Sequence, residues 1–222
     1  MAIAVSGSGD AVALSDGSDL QTVRFGADGG LAATTTLRPA TSGKAIARGP
    51  SGQLFVAGVP TEPAVASPVV ARLDGDRVDL SWGSDGWATL PVMVAEQTSL
   101  LIAADERGRL VAAVRSSPGF AVGRLTSKGQ PDPCFGHQGV ADGYGGDGLA
   151  VQANGKIVLA ADVYPSGALF RLNADGDYDT GFKPPPIYLA FPRAAPDMSL
   201  TVLGGGEIIA RTRHNVLVRL HP

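Results

Sequence analysis

Large aliphatic and small residues alternate in five short stretches, each of which runs into a glycine turn. Ile3, Ile46, Ile102, Leu149 and Leu200 are followed by Ala4, Ala47, Ala103, Ala150 and Thr201. Each small residue lies five positions before a glycine: Gly9, Gly52, Gly108, Gly155 and Gly206. Three positions beyond the glycines come Val12, Phe55, Val111, Val158 and Ile209. A period of two on both sides of a glycine predicts two strands joined by a tight turn, with alternate side chains buried.

A third strand is predicted at an arginine followed by a large apolar residue. Arg24-Phe25, Arg72-Leu73, Arg124-Leu125, Arg171-Leu172 and Arg219-Leu220 recur at steps of 48, 52, 47 and 48 residues. The first four are followed by a turn glycine, at Gly29, Gly75, Gly129 and Gly176, as a hairpin requires. Apolar segments at 33–37, 87–90, around Val140 and at 187–191 are then expected as fourth strands. No stretch carries a helical period.

A strand-and-turn unit repeating near fifty residues predicts an all-β fold, a five-bladed β-propeller of mostly four-stranded antiparallel blades. One domain is expected over 1–222, with units at about 1–37, 38–90, 91–142, 143–191 and 192–222. The fifth unit has room for three strands, so one blade is expected to be a strand short. Its edge at 216–220 would then be open to a strand from a partner.

Composition narrows the function. Thirty glycines in 222 residues fit an array of tight turns. Eighteen basic against 21 acidic residues, net −3, leave no basic field for a phosphate backbone, so nucleic acid is not an expected partner. The lone Cys134 excludes an internal disulfide. The apolar start, 1–5, has no basic flank and stops at Ser6, so no signal peptide is expected. Nor is membrane insertion, because no apolar run is long enough to span a bilayer.

Three units carry an acid, two spacers and an aromatic beyond the third-strand turn: Asp79-Leu-Ser-Trp82, Asp132-Pro-Cys-Phe135 and Asp179-Thr-Gly-Phe182. Arg72 with Asp79, Arg124 with Asp132, and Arg171 with Asp179 lie seven or eight residues apart across a hairpin. They are expected to meet as charge-assisted pairs covered by the aromatic. An arginine holding a ligand carboxylate or a sugar is the functional alternative, and repetition in every unit favours the structural one. The segments 151–159 and 171–182 resemble the delta-60 repeat of bacterial β-propeller proteins. Units two and three share the pattern; unit one lacks the acid and aromatic, and unit five ends before them. The resemblance implies a propeller and brings no catalytic residues.

Other patterns fail on context. Gly143-Tyr-Gly145-Gly-Asp-Gly148 spells a dinucleotide motif but precedes a strand, where that motif needs a helix. Asn173, Asp175, Asp177 and Asp179 alternate like a calcium loop, yet Pro184 stands where the bidentate glutamate belongs. His137, His214 and His221 have no ligand spacing. Neither a metal nor another cofactor is expected. The inner columns hold Ala, Thr, Ile and Leu, with no carboxylate pair for glycan cleavage, so the chain is expected not to be an enzyme.

Two segments depart from the repeat, 58–68 and the proline-rich 183–197. Departures are where a scaffold carries specificity, which makes Pro60, Glu62, Pro63, Pro184, Tyr188, Phe191 and Arg193 candidate partner-binding residues. The expected function is a recognition or assembly module with a protein partner. The expected setting is a bacteriophage virion, as a tail, baseplate or fibre component made in the host cytoplasm. A sugar-binding lectin with Trp82, Phe135 and Phe182 exposed for stacking is the alternative. A glycan-cleaving enzyme is a third.

Overall fold

The computed structural model describes residues 2–6, 8–15, 17–95, 99–116, 119–143, 147–163, 166–182, 187–189, 198–203, 206–212 and 217–220. Five antiparallel sheets follow one another along the chain. Sheet 1 comprises β1 (Ile3–Val5), β2 (Ala11–Leu14), β3 (Leu20–Phe25) and β4 (Leu31–Arg38). Sheet 2 comprises β5 (Thr41–Arg48), β6 (Leu54–Pro60), β8 (Val69–Asp74) and β10 (Trp87–Thr89), with the short β9 (Arg77–Val78) beside β8. Apart from these sheets, β7 (Val65–Ala66) pairs with β11 (Val94–Ala95) as a separate ribbon.

Sheet 3 comprises β12 (Leu100–Ala104), β13 (Leu110–Ser116), β14 (Gly119–Leu125) and β15 (Val140–Gly143). Sheet 4 comprises β16 (Gly148–Val151), β17 (Ile157–Val163), β18 (Ser166–Leu172) and β19 (Ile187–Leu189). Sheet 5 has three strands among the described residues: β20 (Met198–Val202), β21 (Ile208–Thr212) and β22 (Leu217–Leu220). The fold is thus an all-β, five-bladed propeller whose last blade has three strands among the described residues.

The turn glycines explain the hairpins. Gly9, Gly52, Gly108, Gly155 and Gly206 all have φ between 73° and 90°, a backbone region that side chains with a Cβ resist. In each sheet the first two strands pair across this turn, as Ile102 does with Ala112 and Leu149 with Leu159.

Alternation then gives every sheet two faces. The leading face looks toward the preceding sheet and the trailing face toward the following one. Phe55, Ala57, Val70 and Trp82 on the trailing face of sheet 2 pack on Leu110, Ala112 and Leu125 on the leading face of sheet 3. Val111, Ala113 and Phe135 meet Ile157, Leu159 and Leu172 at the next junction, and Val158, Ala160 and Phe182 meet Ile208 and Ala210 at the last. Val12, Leu14 and Leu20 of sheet 1 pack on Leu54, Val56 and Leu73 of sheet 2. Each fully buried aliphatic residue contributes about 1.5–3 kcal/mol, so these junctions hold the array together. The inner strands adjoin in the order β1, β5, β12, β16 and β20. No comparable contact between β20 and β1 occurs among the described residues.

The stretch 58–68, expected as an irregular loop, is a loop only in part. Gly58, Val59 and Pro60 complete β6, where Val59 pairs with Ser42 and Pro60 with Thr41. Val65 and Ala66 form β7. A β-branched residue flanked by alanines can join a strand wherever a partner edge lies within reach, and β11 supplies that edge.

Candidate functional site

The arginine column faces the trailing side of each sheet, and three of its members meet their loop aspartates. Arg72 Nε donates to Asp79 at 2.8 Å, Arg124 Nε to Asp132 at 2.8 Å, and Arg171 Nε to Asp179 at 2.7 Å. Each guanidinium lies over its loop aromatic, 5.9 Å from the Trp82 ring, 4.3 Å from Phe135 and 4.4 Å from Phe182. Trp82, Phe135 and Phe182 are buried. They therefore offer no stacking platform for a sugar, and the lectin reading loses the residues it needed.

Sheet 1 lacks the loop acid, no such loop is described for sheet 5, and in both the carboxylate comes from elsewhere. Arg24 Nε donates to Asp10 at 3.0 Å, and Arg219 Nη2 to both oxygens of Glu207 at 2.6 Å. Asp10 and Glu207 each stand one residue after the turn glycine. In the sheets with a buried pair, that position holds a cation. Lys156 Nζ donates to Asp179 at 2.7 Å, and Arg109 Nη1 lies 3.9 Å from Asp132. Sheet 2, whose pair is more exposed, has the neutral Gln53 there. Sequence reasoning missed this position. The series Asp10, Gln53, Arg109, Lys156 and Glu207 was its signal: the sign of its charge follows whether the loop acid is present.

The electrostatics follow from the geometry. Hydrogen bonds from Lys156, then from Arg171 and the Gly181 amide, hold the Asp179 carboxyl down at about 2 despite its burial. Burial, helped by repulsion from Arg109, lowers the Arg124 guanidinium below its ordinary value against the attraction of Asp132. The Ser8 hydroxyl, then Arg24, holds Asp10 low.

The loop that carries the aromatic also stitches adjacent sheets. Gly83 N donates to Lys128 O at 3.1 Å and Trp82 Nε1 to Ser127 O at 3.0 Å, joining sheets 2 and 3. Gly136 N donates to Asp175 O at 2.7 Å, joining sheets 3 and 4. Sheet 1 has no such loop, and Arg24 instead reaches the Asp76 carboxylate in the turn of sheet 2. A cleft of about 590 Å³ opens beside it, lined by Ser8, Arg24, Gln53, Arg72 and Asp74. Both of its arginines are held by carboxylates, so the cleft presents compensated charge. A second cleft, of about 620 Å³, lies against Pro91, His137, Asp142 and Tyr178.

The candidate partner-binding residues are described only in part. Pro60 ends β6, while Glu62 and Pro63 are exposed in the connection to β7. Tyr188 is in β19, paired with Ala168. Pro184, Phe191 and Arg193 lie outside the described residues.

The leading face of sheet 1 is mostly apolar, and among the described residues no other sheet packs on it. Val5, Ala11, Phe25 and Leu31 form one cross-strand row, and Ile3, Ala13, Val23 and Thr34 the next. Ile3 is 61 % exposed, Val5 52 % and Leu31 67 %. The counterparts of Ile3 and Val5 on β12, β16 and β20 pack against the preceding sheet: Ile102 and Ala104, Leu149 and Val151, Leu200 and Val202. Phe25 is half-buried, where Leu73, Leu125 and Leu172 are buried.

Comparison with known proteins supports the fold. A family model described as a domain of unknown function (DUF5122) beta-propeller matches residues 152–182. No curated protein matches the chain in sequence. Among solved structures, a catalytically inactive virginiamycin B lyase from Staphylococcus aureus, solved with quinupristin, aligns with a TM-score of 0.62 at 14 % identity. That alignment covers 99 % of this chain and 68 % of the lyase. A streptogramin B lyase aligns at 0.56 and 16 % identity over 100 % and 68 % of the two chains. The calcium-binding protein regucalcin from Agrobacterium tumefaciens aligns at 0.54 and 14 % identity over 94 % and 66 %.

These likenesses correct one expectation. The chain was expected not to be an enzyme, because its inner columns hold small and aliphatic residues. Lyases share its fold over nearly its whole length, so a blade scaffold of this kind does carry catalysis. Inner-column composition is no ground for excluding an enzyme, since active residues are supplied by loops grafted on the scaffold. At these identities the likeness is one of fold, and it makes the chain similar to propellers with several different activities.

Proposed function

We propose that the chain is a recognition and assembly module that binds a protein partner through the leading face of sheet 1. One observation carries this reading: Ile3 and Val5 are exposed, where their counterparts on β12, β16 and β20 pack against the preceding sheet. A contiguous apolar face on a folded protein marks an interaction surface. The repeat itself we read as a delta-60 unit, which the propeller-family match over 152–182 supports. A tail, baseplate or fibre of a phage virion is a setting in which such a face would be used.

Photo-cross-linking tests the reading. A benzophenone side chain at position 5, in cells that make the protein, is expected to give discrete protein adducts. The same group in place of Leu80, an exposed residue in the loop between β9 and β10 of sheet 2, is expected to give none. Equal labelling from both positions would overturn the proposal.

A further inference from the structure

The geometry points to a second binding site in the cleft between sheets 1 and 2: an aromatic socket that takes a tryptophan or phenylalanine side chain from a peptide segment of a partner protein. The socket is separate from the leading face of sheet 1 and does not rest on the docking reading above.

The next two junctions show what fills such a place. Two residues after its turn glycine, each of sheets 2, 3 and 4 has a facing apolar pair: Leu54 with Leu73, Leu110 with Leu125, and Ile157 with Leu172. Trp82 packs on the second pair and lies over Arg72, while Phe135 packs on the third and lies over Arg124. Each ring thus meets the guanidinium of its own sheet and the apolar pair of the next.

Between sheets 1 and 2 the same groups stand without a ring. Arg24 of sheet 1 and Leu54 and Leu73 of sheet 2 line the cleft of about 590 Å³. Sheet 1 passes from β3 through the turn at Gly29 into β4, with no loop to bring an aromatic. Among the described residues no ring lies over Arg24.

The glycines of the third-strand turns are a second, independent sign. A Cβ on Gly129 would meet Trp82 Cε2 at 3.0 Å, and one on Gly176 would meet Phe135 Cε2 at 3.1 Å. One on Gly75 would meet nothing within 4 Å. The turn of sheet 2 is also shorter, with Gly75 three positions after Arg72 where Gly129 and Gly176 lie five after their arginines, which widens the opening.

Charge sets the rest of the ligand. The resident loops bring an aspartate along with the ring, Asp79 with Trp82 and Asp132 with Phe135. Here that role is taken: Arg24 is paired with Asp10 and Asp76, and Asp74 also lines the cleft. Arg72 and Asp79, in the same lining, neutralise each other. A further carboxylate would meet Asp10, Asp74 and Asp76 around a single guanidinium, so the segment that fits carries the ring without the acid. Glycine after the ring suits the shape, because Gly83 and Gly136 turn the resident loops with φ of 63° and 51°.

Amide chemical-shift titration with synthetic pentapeptides tests this. The probe, acetyl-Asn-Pro-Ser-Trp-Gly-amide, is the sequence of 132–136 with Asn for Asp132, Ser for Cys134 and Trp for Phe135. It is expected to give saturating shifts at Gly52, Gln53 and Gly75, with half-saturation below about 5 mM. The same peptide with Asp in place of Asn should bind at least about threefold more weakly. With Ala in place of Trp it should not bind. Arg24→Lys keeps the charge that Asp10 and Asp76 pair with but loses the flat guanidinium, and should weaken binding at least about threefold. No saturation by about 20 mM, equal shifts from the alanine peptide, or undiminished binding to the Arg24→Lys chain would overturn the socket. Equal binding of N-acetyltryptophanamide would overturn the peptide and make the occupant a free aromatic compound. Tighter binding of the aspartate peptide would overturn the exclusion of the acid.

Discussion

Arg24 is neutralised by Asp10, fourteen positions earlier and just ahead of β2, where Arg124 is neutralised by Asp132 in the loop that follows it. The acid has changed places while the arginine has not. In both arrangements a carboxylate meets Nε of the guanidinium, because a partly or fully buried arginine cannot shed its charge and must be paired. The position after the turn glycine adapts to the loop: acidic where the loop acid is missing, cationic where it is present and buried.

The buried pair should be the most costly to break. Arg124 and Asp132 are only 2 % and 7 % exposed at their side chains, against 22 % and 23 % for Arg72 and Asp79. Asp132→Ala leaves both Arg124 and Arg109 without that carboxylate and should cost about 3–5 kcal/mol. Asp79→Ala should cost about 1 kcal/mol or less. Urea denaturation of the two variants checks the order.

Moving the acid should rescue its loss. Asp179→Asn strands Arg171 and Lys156, and Lys156→Glu recreates in sheet 4 the arrangement of Arg219 with Glu207. The double variant is expected to regain more than half of the stability lost by Asp179→Asn alone. Lys156→Glu by itself, which places two carboxylates at one arginine, should destabilise. A double-mutant cycle measured by denaturation gives the coupling, expected at about 1 kcal/mol or more.

Acid should act through Asp179. Its carboxyl is held at about 2 in the folded chain against an ordinary value of 3.8. The stability this contributes is full above 3.8 and is lost as the pH falls toward 2, because the unfolded chain takes up the proton first. Asp179→Asn should therefore be less acid-sensitive than the parent between pH 5 and pH 2.5, about the window set by those two values. Denaturation at both pH values measures it.

The sheet junctions should be sensitive to a single methyl group. Gly129 and Gly75 both have positive φ, 79° and 62°. A Cβ on Gly129 would meet Gly83 Cα at 2.9 Å and Trp82 Cε2 at 3.0 Å, whereas one on Gly75 would meet nothing within 4 Å. Gly75→Ala should cost about 1 kcal/mol, from backbone strain alone. Gly129→Ala should cost at least about twice that and should loosen the stitch from Gly83 to Lys128. Denaturation with amide exchange at Gly83 separates the two effects.

The sequence by itself determined the repeat, the hairpins and the arginine pairs within a unit. Period-two alternation, a glycine at the positive φ of each first hairpin turn and an aspartate across a hairpin from its arginine are all local, so Arg171 and Asp179 were legible eight residues apart. The tertiary structure alone decided which faces are covered. Ile3 and Ile102 sit in the same pattern, and alternation specifies that a strand has two faces without specifying that a neighbouring sheet lies against either. It also decided the contacts between units. Trp82 reaches Ser127 across 45 residues and Arg24 reaches Asp76 across 52, separations at which no local periodicity remains and only the stacking of one sheet on the next brings the groups together.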